Sequence, residues 1–335
     1  MSARRVQGLD LLRGFAVGLV ILRHAAPHVF AGAGVVGVVM FFAISGYLIT
    51  GVLVGDLEQT GRIDRRRFYL RRAARLVPAL VLLVAGVVVV TVLLDPLGDR
   101  DELAKTVLVA MTWTANLPFA HASEATFHLW TLATEEQFYL LWPAVLGLGF
   151  ARRRVGLALL ATGLACAVAT VATVVWLSED PDLAYALPTS WAGCFVVGAA
   201  VGLYGDRVPK PNGLAVGAGL TCLAVLSVVP LRGHALTYLA GGPAIAALTG
   251  LLLLAWREWQ TVRPPALRLL VWLGTVSYAA YLWNYPLALW LEPTVPHARL
   301  VAVPLTLVVA WLSTAYVEEP ALRRARGRTR VPVAA

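Results

Sequence analysis

The chain has 335 residues, of which 59% are hydrophobic and 14% charged, and its mean hydropathy is +0.73. Soluble globular domains carry about 25% charged residues, so this composition excludes an ordinary soluble domain and predicts a multi-span membrane protein. The net charge of +9 does not indicate nucleic-acid binding, because the basic residues form short clusters between apolar runs, as topology signals do.

Ten apolar stretches are candidates for transmembrane helices, which need roughly 20 apolar residues each. In chain order they cover residues 8–29, 34–54, 76–95, 128–150, 155–177, 187–204, 213–230, 235–256, 268–291 and 298–317. A shorter stretch, 103–119, contains Asn116 and Pro118, and we predict a re-entrant or interfacial helix there on the outer side. The predicted fold class is an all-α integral membrane protein of about ten transmembrane helices.

Basic residues alternate between the two sides of this arrangement. With the N-terminus inside, the inner segments hold 22 of the 28 lysines and arginines, and two more lie in the first span. The outer segments hold four, which are Arg100, Lys105, Arg232 and Arg299. The positive-inside rule therefore predicts that both termini are cytoplasmic. We expect one membrane domain over 6–320, a disordered basic tail over 321–335, and no soluble domain at either end.

The segment RIDRRRFYLRRAARLVP, residues 62–78, is amphipathic and strongly basic. Its simplest interpretation is a helix in the cytoplasmic interface with arginines facing lipid headgroups. The alternative is that Arg71, Arg72 and Arg75 bind the phosphates of a substrate, since guanidinium groups pair well with phosphate. Arg13, near the cytoplasmic end of the first span, is a further candidate for this role.

Polar residues from four spans are predicted to reach a similar depth in the membrane. They are His24, Ser45, Glu135, Glu136, Tyr281 and Asn284. Polar groups at membrane depth need internal partners, so we predict one shared central cavity. A histidine beside a carboxylate is a common general base, which makes His24 the candidate base and Glu135 or Glu136 its orienting partner. Glu135 and Glu136 point about 100° apart on a helix, so one of them is expected to face the cavity.

Simpler interpretations remain open for individual residues. Arg13 could be a snorkelling residue, His24 a hydrogen-bonded packing residue, and Ser45 a small residue at a helix contact. His24 and His28 lack further metal ligands, so we predict no metal site. The three cysteines lie in apolar runs without metal-binding spacing.

Several segments together resemble the acyltransferase-3 family of membrane acyltransferases, from about residue 6 to 320. They are LDLLRGFAVGLVILRH, FFAISGYLIT, RRAARLVP, LWTLATEEQFYLLWP, SYAAYLWNYP and YVEEP. The family's pattern of an arginine and a histidine separated by ten residues falls on Arg13 and His24. Its arginine pair falls on Arg72 and Arg75 and its paired glutamates on Glu135 and Glu136, whereas Asn284 replaces a histidine that many members carry.

The resemblance implies transfer of an acyl group, often acetyl from acetyl-CoA, to a hydroxyl of a cell-surface glycan, lipid-linked sugar or natural product. We therefore predict an O-acyltransferase of the cell membrane that takes acyl-CoA as a co-substrate and has no bound cofactor. Ser45, Tyr281 and Asn284 are its candidate substrate-binding residues. The chain length leads us to expect no added extracytoplasmic domain. The alternatives are a transporter with a buried Arg/His/Glu ion relay, and a non-catalytic membrane protein.

Overall fold

The computed structural model describes residues 6–117 and 122–328 as a helical protein. The α-helices are α1 (Gln7–Ala25), α2 (Ala33–Thr60), α3 (Arg65–Leu93), α4 (Leu103–Met111), α5 (Trp130–Ala151), α6 (Val155–Trp176), α7 (Ala192–Tyr204), α8 (Gly213–Val228), α9 (Gly242–Trp256), α10 (Pro265–Thr275), α11 (Ser277–Leu291), α12 (Ala298–Ser313) and α13 (Glu319–Arg328). A 3₁₀ turn, Glu124–Leu129, leads into α5, and π-helical turns precede α9 and α13. The described residues include no β-strand.

Five helical segments among the described residues are long and apolar enough to cross a membrane. They are Ala33–Thr60, Arg65–Leu93, Val155–Trp176, Thr237–Trp256 and Ala298–Ala325. α6 is the most exposed of these, with Leu160, Leu164 and Val168 each more than 60% accessible along one face. Such an apolar stripe has no stable place in water, so it fits a helix that faces lipid. Each of the ten predicted stretches contains a helix, and the count of ten crossings stays a prediction.

Two predicted boundaries differ from the structure. The basic segment 62–78 and the third predicted span form one continuous helix, α3, which runs through Pro78. The predicted span 268–291 is not one straight helix, because α10 and α11 meet at Val276 with a bend of 78°. This break matters for the site, since it places the first turn of α11 inside the protein.

Part of the predicted disordered tail is helical. α13 runs from Glu319 to Arg328, so residues 321–328 continue the helical structure that begins in α12. Arg323 pairs with Glu319 one turn away at 2.8 Å, a contact that supports the helix. Residues 329–335 lie outside the described part of the chain.

Glycines bring the helices around the site into backbone contact. A Cβ atom on Gly14 of α1 would lie 1.8 Å from the Leu270 carbonyl oxygen, and one on Gly274 would lie 1.8 Å from the backbone carbonyl oxygen of Asp10. The crossing of α2 and α7 is equally close at Gly46 and Gly198. Small residues allow such approach in membrane proteins. These crossings fix α1 against the α10–α11 break and α2 against α7.

Gly198→Ala is expected to destabilise the protein, because the added methyl would lie 1.8 Å from the Ala43 carbonyl oxygen and force α2 and α7 apart. Overpacking of this kind costs about 1–3 kcal/mol or more. Gly217→Ala on α8 is the matched control, since nothing lies within 4 Å of its added Cβ. Thermal unfolding in detergent measures both variants. Equal melting temperatures for the two would contradict the tight crossing.

Candidate active site

The inner cavity lies between α1, α2, α3, α5 and α11 and has a volume of about 180 Å³. Its polar lining residues include Arg13, Ser45, Arg72, Arg75, Glu135, Ser277 and Tyr281. The structure thus brings together three of the four arginines predicted to bind the donor. Arg71 does not line this cavity, and its side chain is exposed. One residue of helical rotation, about 100°, separates it from Arg72.

Arg72 is held by both predicted glutamates. Its Nε and Nη2 donate to Glu136 Oε1 at 2.8 Å and 2.7 Å, and its Nη2 lies 3.8 Å from Glu135 Oε2. The guanidinium carbon lies 3.3 Å from the centre of the Tyr139 ring. All three charged side chains are largely buried, with exposed fractions of 15–18%. This cluster is an internal ion pair that joins α3 to α5.

Glu135 faces the inner cavity and Glu136 does not line it. Ser45 of α2 donates a hydrogen bond to Glu135 Oε1, so the carboxylate links α2, α3 and α5. The expectation that only one of the two neighbouring glutamates faces the cavity therefore agrees with the structure. Ser45 acts here as a hydrogen-bond donor to a carboxylate and not only as a small residue at a helix contact.

The outer cavity, of about 230 Å³, contains His24. Its other polar lining residues are Arg23, His128, Tyr185, Arg232, Tyr281, Tyr285, Glu292 and Arg299. In the loops that border it, Asp182 accepts two hydrogen bonds from Arg232 and raises the pKa of that guanidinium. Burial raises the pKa of the Tyr185 phenol.

A directed chain of hydrogen bonds orients His24. Thr306 Oγ1 donates to the Ala302 carbonyl at 2.7 Å, which leaves the hydroxyl oxygen to accept from Asn284 Nδ2 at 3.2 Å. The amide oxygen of Asn284 then faces His24 Nδ1 at 2.6 Å and accepts its hydrogen. In this tautomer Nδ1 carries the proton and Nε2 has a free lone pair, as a general base requires.

The structure brings His24 together with Asn284 and not with the two glutamates. Neither glutamate is its orienting partner, because Asn284 occupies that place and the glutamates bind Arg72 and Ser45. Asn284, predicted to bind substrate, is 1% exposed, lines neither cavity and contacts the His24 ring instead. The amide oxygen of Asn284 supplies the acceptor that the Nδ1–H of His24 needs.

The single cavity predicted from residue depth is divided in the structure. The inner and outer cavities share Val38 and Tyr281 in their linings. The Tyr281 hydroxyl donates to the His128 carbonyl at 3.0 Å and lies 2.7 Å from Thr131 Oγ1. Tyr281 is therefore held at the boundary between the inner cavity and the outer cavity.

Sequence reasoning missed several lining residues. Ser277, the first residue of α11, is fully buried, and its hydroxyl has no hydrogen-bond partner among the described residues. His128 is buried with its Nε2 at 3.0 Å from the Leu282 carbonyl. Weak helix formers at 274–277, Gly-Thr-Val-Ser, were the available signal for the break that exposes Ser277 to the cavity. His128 carried no signal beyond its polarity near the end of a span.

Fold and site together define a membrane protein whose helices enclose two adjoining polar cavities, each lined by three arginines, and the outer cavity also contains an oriented histidine. The Acyl_transf_3 family model, described as an acyltransferase domain, matches residues 6–317. The chain therefore belongs to the acyltransferase-3 family of membrane proteins. This confirms the resemblance drawn from the sequence segments.

Three relatives illustrate the family. Peptidoglycan O-acetyltransferase OatA of Listeria monocytogenes is 28% identical, in an alignment that covers 95% of this chain and 56% of the relative. Putative peptidoglycan O-acetyltransferase YrhL of Bacillus subtilis is 30% identical, with 95% and 55% covered. O-acetyltransferase OatA of Staphylococcus aureus is 27% identical, with 95% and 57% covered.

The chain thus spans little more than half the length of these curated relatives. No solved structure matches it significantly.

Proposed function

We propose that the protein is an O-acetyltransferase that moves an acetyl group from acetyl-CoA in the inner cavity to a glycan hydroxyl in the outer cavity. The observation that carries this proposal is the chain from Thr306 through Asn284 to His24. It leaves the Nε2 lone pair of His24 available in a cavity that adjoins the arginine-lined one at Tyr281. A base beside a donor cavity is what acyl transfer to a hydroxyl needs.

The donor-binding end of this proposal rests on the positive charge of the inner cavity. Glu135 and Glu136 pair with Arg72, and Arg13 and Arg75 line the same cavity, where their positive charge would attract the phosphates of CoA. The first turn of α11 adds the positive end of a helix dipole, and Ser277 adds a buried hydroxyl with no partner among the described residues. These groups fit the phosphate and carbonyl oxygens of an acyl-CoA.

The proposed sidedness follows from the distribution of basic residues. With both termini cytoplasmic, Arg72 and Arg75 lie toward the cytoplasm, where acetyl-CoA is made. His24 then lies toward the outer surface, near Arg232 and Arg299. The acetyl group would pass Tyr281, and the acceptor would remain on the outer side throughout the reaction.

In the proposed reaction, His24 Nε2 accepts the proton of the acceptor hydroxyl while that oxygen attacks the thioester carbonyl. Asn284 stabilises the resulting imidazolium through the Nδ1–H hydrogen bond and holds the ring in place. The C–S bond then breaks, the acetyl ester forms, and the imidazolium returns its proton to the CoA thiolate. Tyr281, at the boundary of the two cavities, is placed to contact the reacting carbonyl.

Relatives support the choice of acceptor. Two of them are named as peptidoglycan O-acetyltransferases, one of these putatively, and each matches 95% of this chain. A glycan hydroxyl also fits the outer cavity, because its aromatic lining offers faces on which sugar rings pack. A test is to follow the consumption of acetyl-CoA by the purified protein with peptidoglycan fragments as acceptors. A protein with no affinity for any acyl-CoA would contradict the proposal and favour the transporter alternative.

Arg75→Gln is expected to weaken acetyl-CoA binding about 10-fold or more, because a charged hydrogen bond contributes about 1.5–3 kcal/mol. Arg71→Gln is the matched control, since it removes the same charge from the same helix but at a position that does not line the cavity. Isothermal titration calorimetry in detergent measures both. Equal affinities for the two variants would remove Arg75 from the donor site.

A further inference from the structure

The outer cavity concentrates positive charge on a side of the protein that has little of it. Outer segments contain four lysines and arginines, and two of these, Arg232 and Arg299, line this one cavity. Arg23 joins them from the end of α1. Against these three guanidinium groups the cavity lining includes one carboxylate, Glu292.

Two of the three arginines already have carboxylate partners. Arg232 donates from Nε and Nη2 to Asp182 at 2.7 Å and 2.8 Å, and Arg299 donates from the same two atoms to Glu292 at 3.2 Å and 2.9 Å. Arg23 forms no hydrogen bond or ion pair with any residue of 6–117 or 122–328. The cavity therefore has an uncompensated positive charge, and that charge belongs to Arg23.

Arg23 is seated on the wall of the cavity. Its aliphatic stem crosses Gly34 of α2, where a Cβ atom would lie 3.1 Å from the Arg23 Cγ. Gly34 lines the same cavity, and because it has no side chain, the stem of Arg23 packs directly against its backbone. His24 is the next residue along α1, so the cation and the proposed base open into one space.

Aromatic side chains also line this space. Tyr185 and Phe127 stack with their ring planes 14° apart, and Tyr285 packs 5.0 Å from His24. Arg232 lies over the Tyr185 ring at 4.6 Å, which holds that wall in position. Aromatic faces beside a free guanidinium suit a sugar ring that carries an anionic group.

We propose that the acceptor is an acidic glycan, whose carboxylate or phosphate binds Arg23 while its reacting hydroxyl lies at His24. This inference deepens the proposed function and rests on it, since it names the acceptor's chemical class at the same site. Arg23 is then a specificity-determining residue, because an unpaired guanidinium in this cavity favours an anionic sugar over its neutral counterpart.

The test compares three sugars of known charge on the full-length protein in detergent. N-acetylmuramic acid carries a carboxylate, its methyl ester has nearly the same shape without the charge, and N-acetylglucosamine 1-phosphate carries a phosphate. We expect at least one of the two anions to bind about 10-fold or more tightly than the methyl ester, as a charge-assisted contact predicts. Which anion binds more tightly identifies the source of the charge.

Variants assign this preference to Arg23. Arg23→Gln is expected to bind the preferred anion and the methyl ester equally, and Gly34→Ala, which displaces the stem, to lose part of the preference. Arg100→Gln removes an outer positive charge away from the cavity and is expected to keep the preference. Acetyl-CoA affinity is measured on every variant to verify that the fold and the donor site are intact.

Wild-type protein that binds acetyl-CoA but binds both anions no more tightly than the ester would overturn this inference and leave the proposed donor site standing. The same conclusion follows if Arg23→Gln keeps the preference. Wild-type protein without affinity for acyl-CoA would instead overturn the proposed function, and the acceptor assignment with it.

Discussion

His24→Ala is expected to lower the turnover of acetyl-CoA by about 10²–10⁴-fold, the usual contribution of a general base, while acetyl-CoA still binds. Binding is retained because His24 lies in the outer cavity, beyond Tyr281 from the arginines proposed to hold the donor. The imidazole has the tautomer that leaves Nε2 free, as the chain through Asn284 and Thr306 dictates. Removal of the ring therefore removes the proton acceptor and leaves the donor cavity unchanged.

His28→Ala is the matched control for this variant. His28 follows His24 by four residues but is exposed and lines neither of the two site cavities. We expect it to retain wild-type turnover. Steady-state release of CoA gives the rate and calorimetry gives the donor affinity. A His24→Ala enzyme with wild-type turnover would exclude His24 as the base, and one that loses donor binding instead would place the histidine in the donor site.

Arg72→Leu is expected to destabilise the protein by about 3–5 kcal/mol, the usual cost of breaking a buried ion pair by removing one partner. The guanidinium lies against two adjacent carboxylates, Glu135 and Glu136, whose side chains are 15% and 18% exposed. Without it, these two like charges face each other in a largely buried site. The contact of Arg72 with the Tyr139 ring is lost as well.

Two further variants separate this explanation from a general effect of removing an arginine from α3. Arg71→Leu removes the exposed neighbour and is expected to leave the melting temperature nearly unchanged. Combining Arg72→Leu with Glu136→Gln removes one stranded charge and is expected to recover part of the lost stability. Thermal unfolding in detergent measures all three. A combined variant no more stable than Arg72→Leu alone would show that the carboxylates are not the cause.

The main features of the site were predictable because they depend on depth and charge. Helical rise places Arg13 and His24 at different depths of one helix, and the structure has them in adjoining cavities. The segments around Arg72, Glu135 and Ser45 were also predicted to contribute to one site, and these three residues do line or border the inner cavity. Such patterns can be read from sequence because burying an ionisable group in a membrane costs free energy, so residues of this kind usually have a function there.

The pairing of these residues was not predictable in the same way. The depth of a side chain in the membrane does not give the direction in which it points across the bundle. The sequence therefore could not show whether His24 contacts Asn284 or a glutamate. Arg71 and Arg72 look alike in sequence, yet about 100° of rotation separates an exposed side chain from a largely buried ion pair. The break at Val276 was missed because the apolar composition continues through it, and the weak helix formers at 274–277 were its one signal in the sequence.

The most direct test of the account is a cryo-electron microscopy structure of the protein with an acetyl-CoA analogue in which a methylene group replaces the thioester sulfur. We expect the CoA phosphates between Arg13 and Arg75, and the acetyl carbonyl beside Tyr281 on the side that leads to His24 Nε2. CoA density in the outer cavity among Arg23, Arg232 and Arg299 would contradict it, because the donor and acceptor cavities would then be reversed.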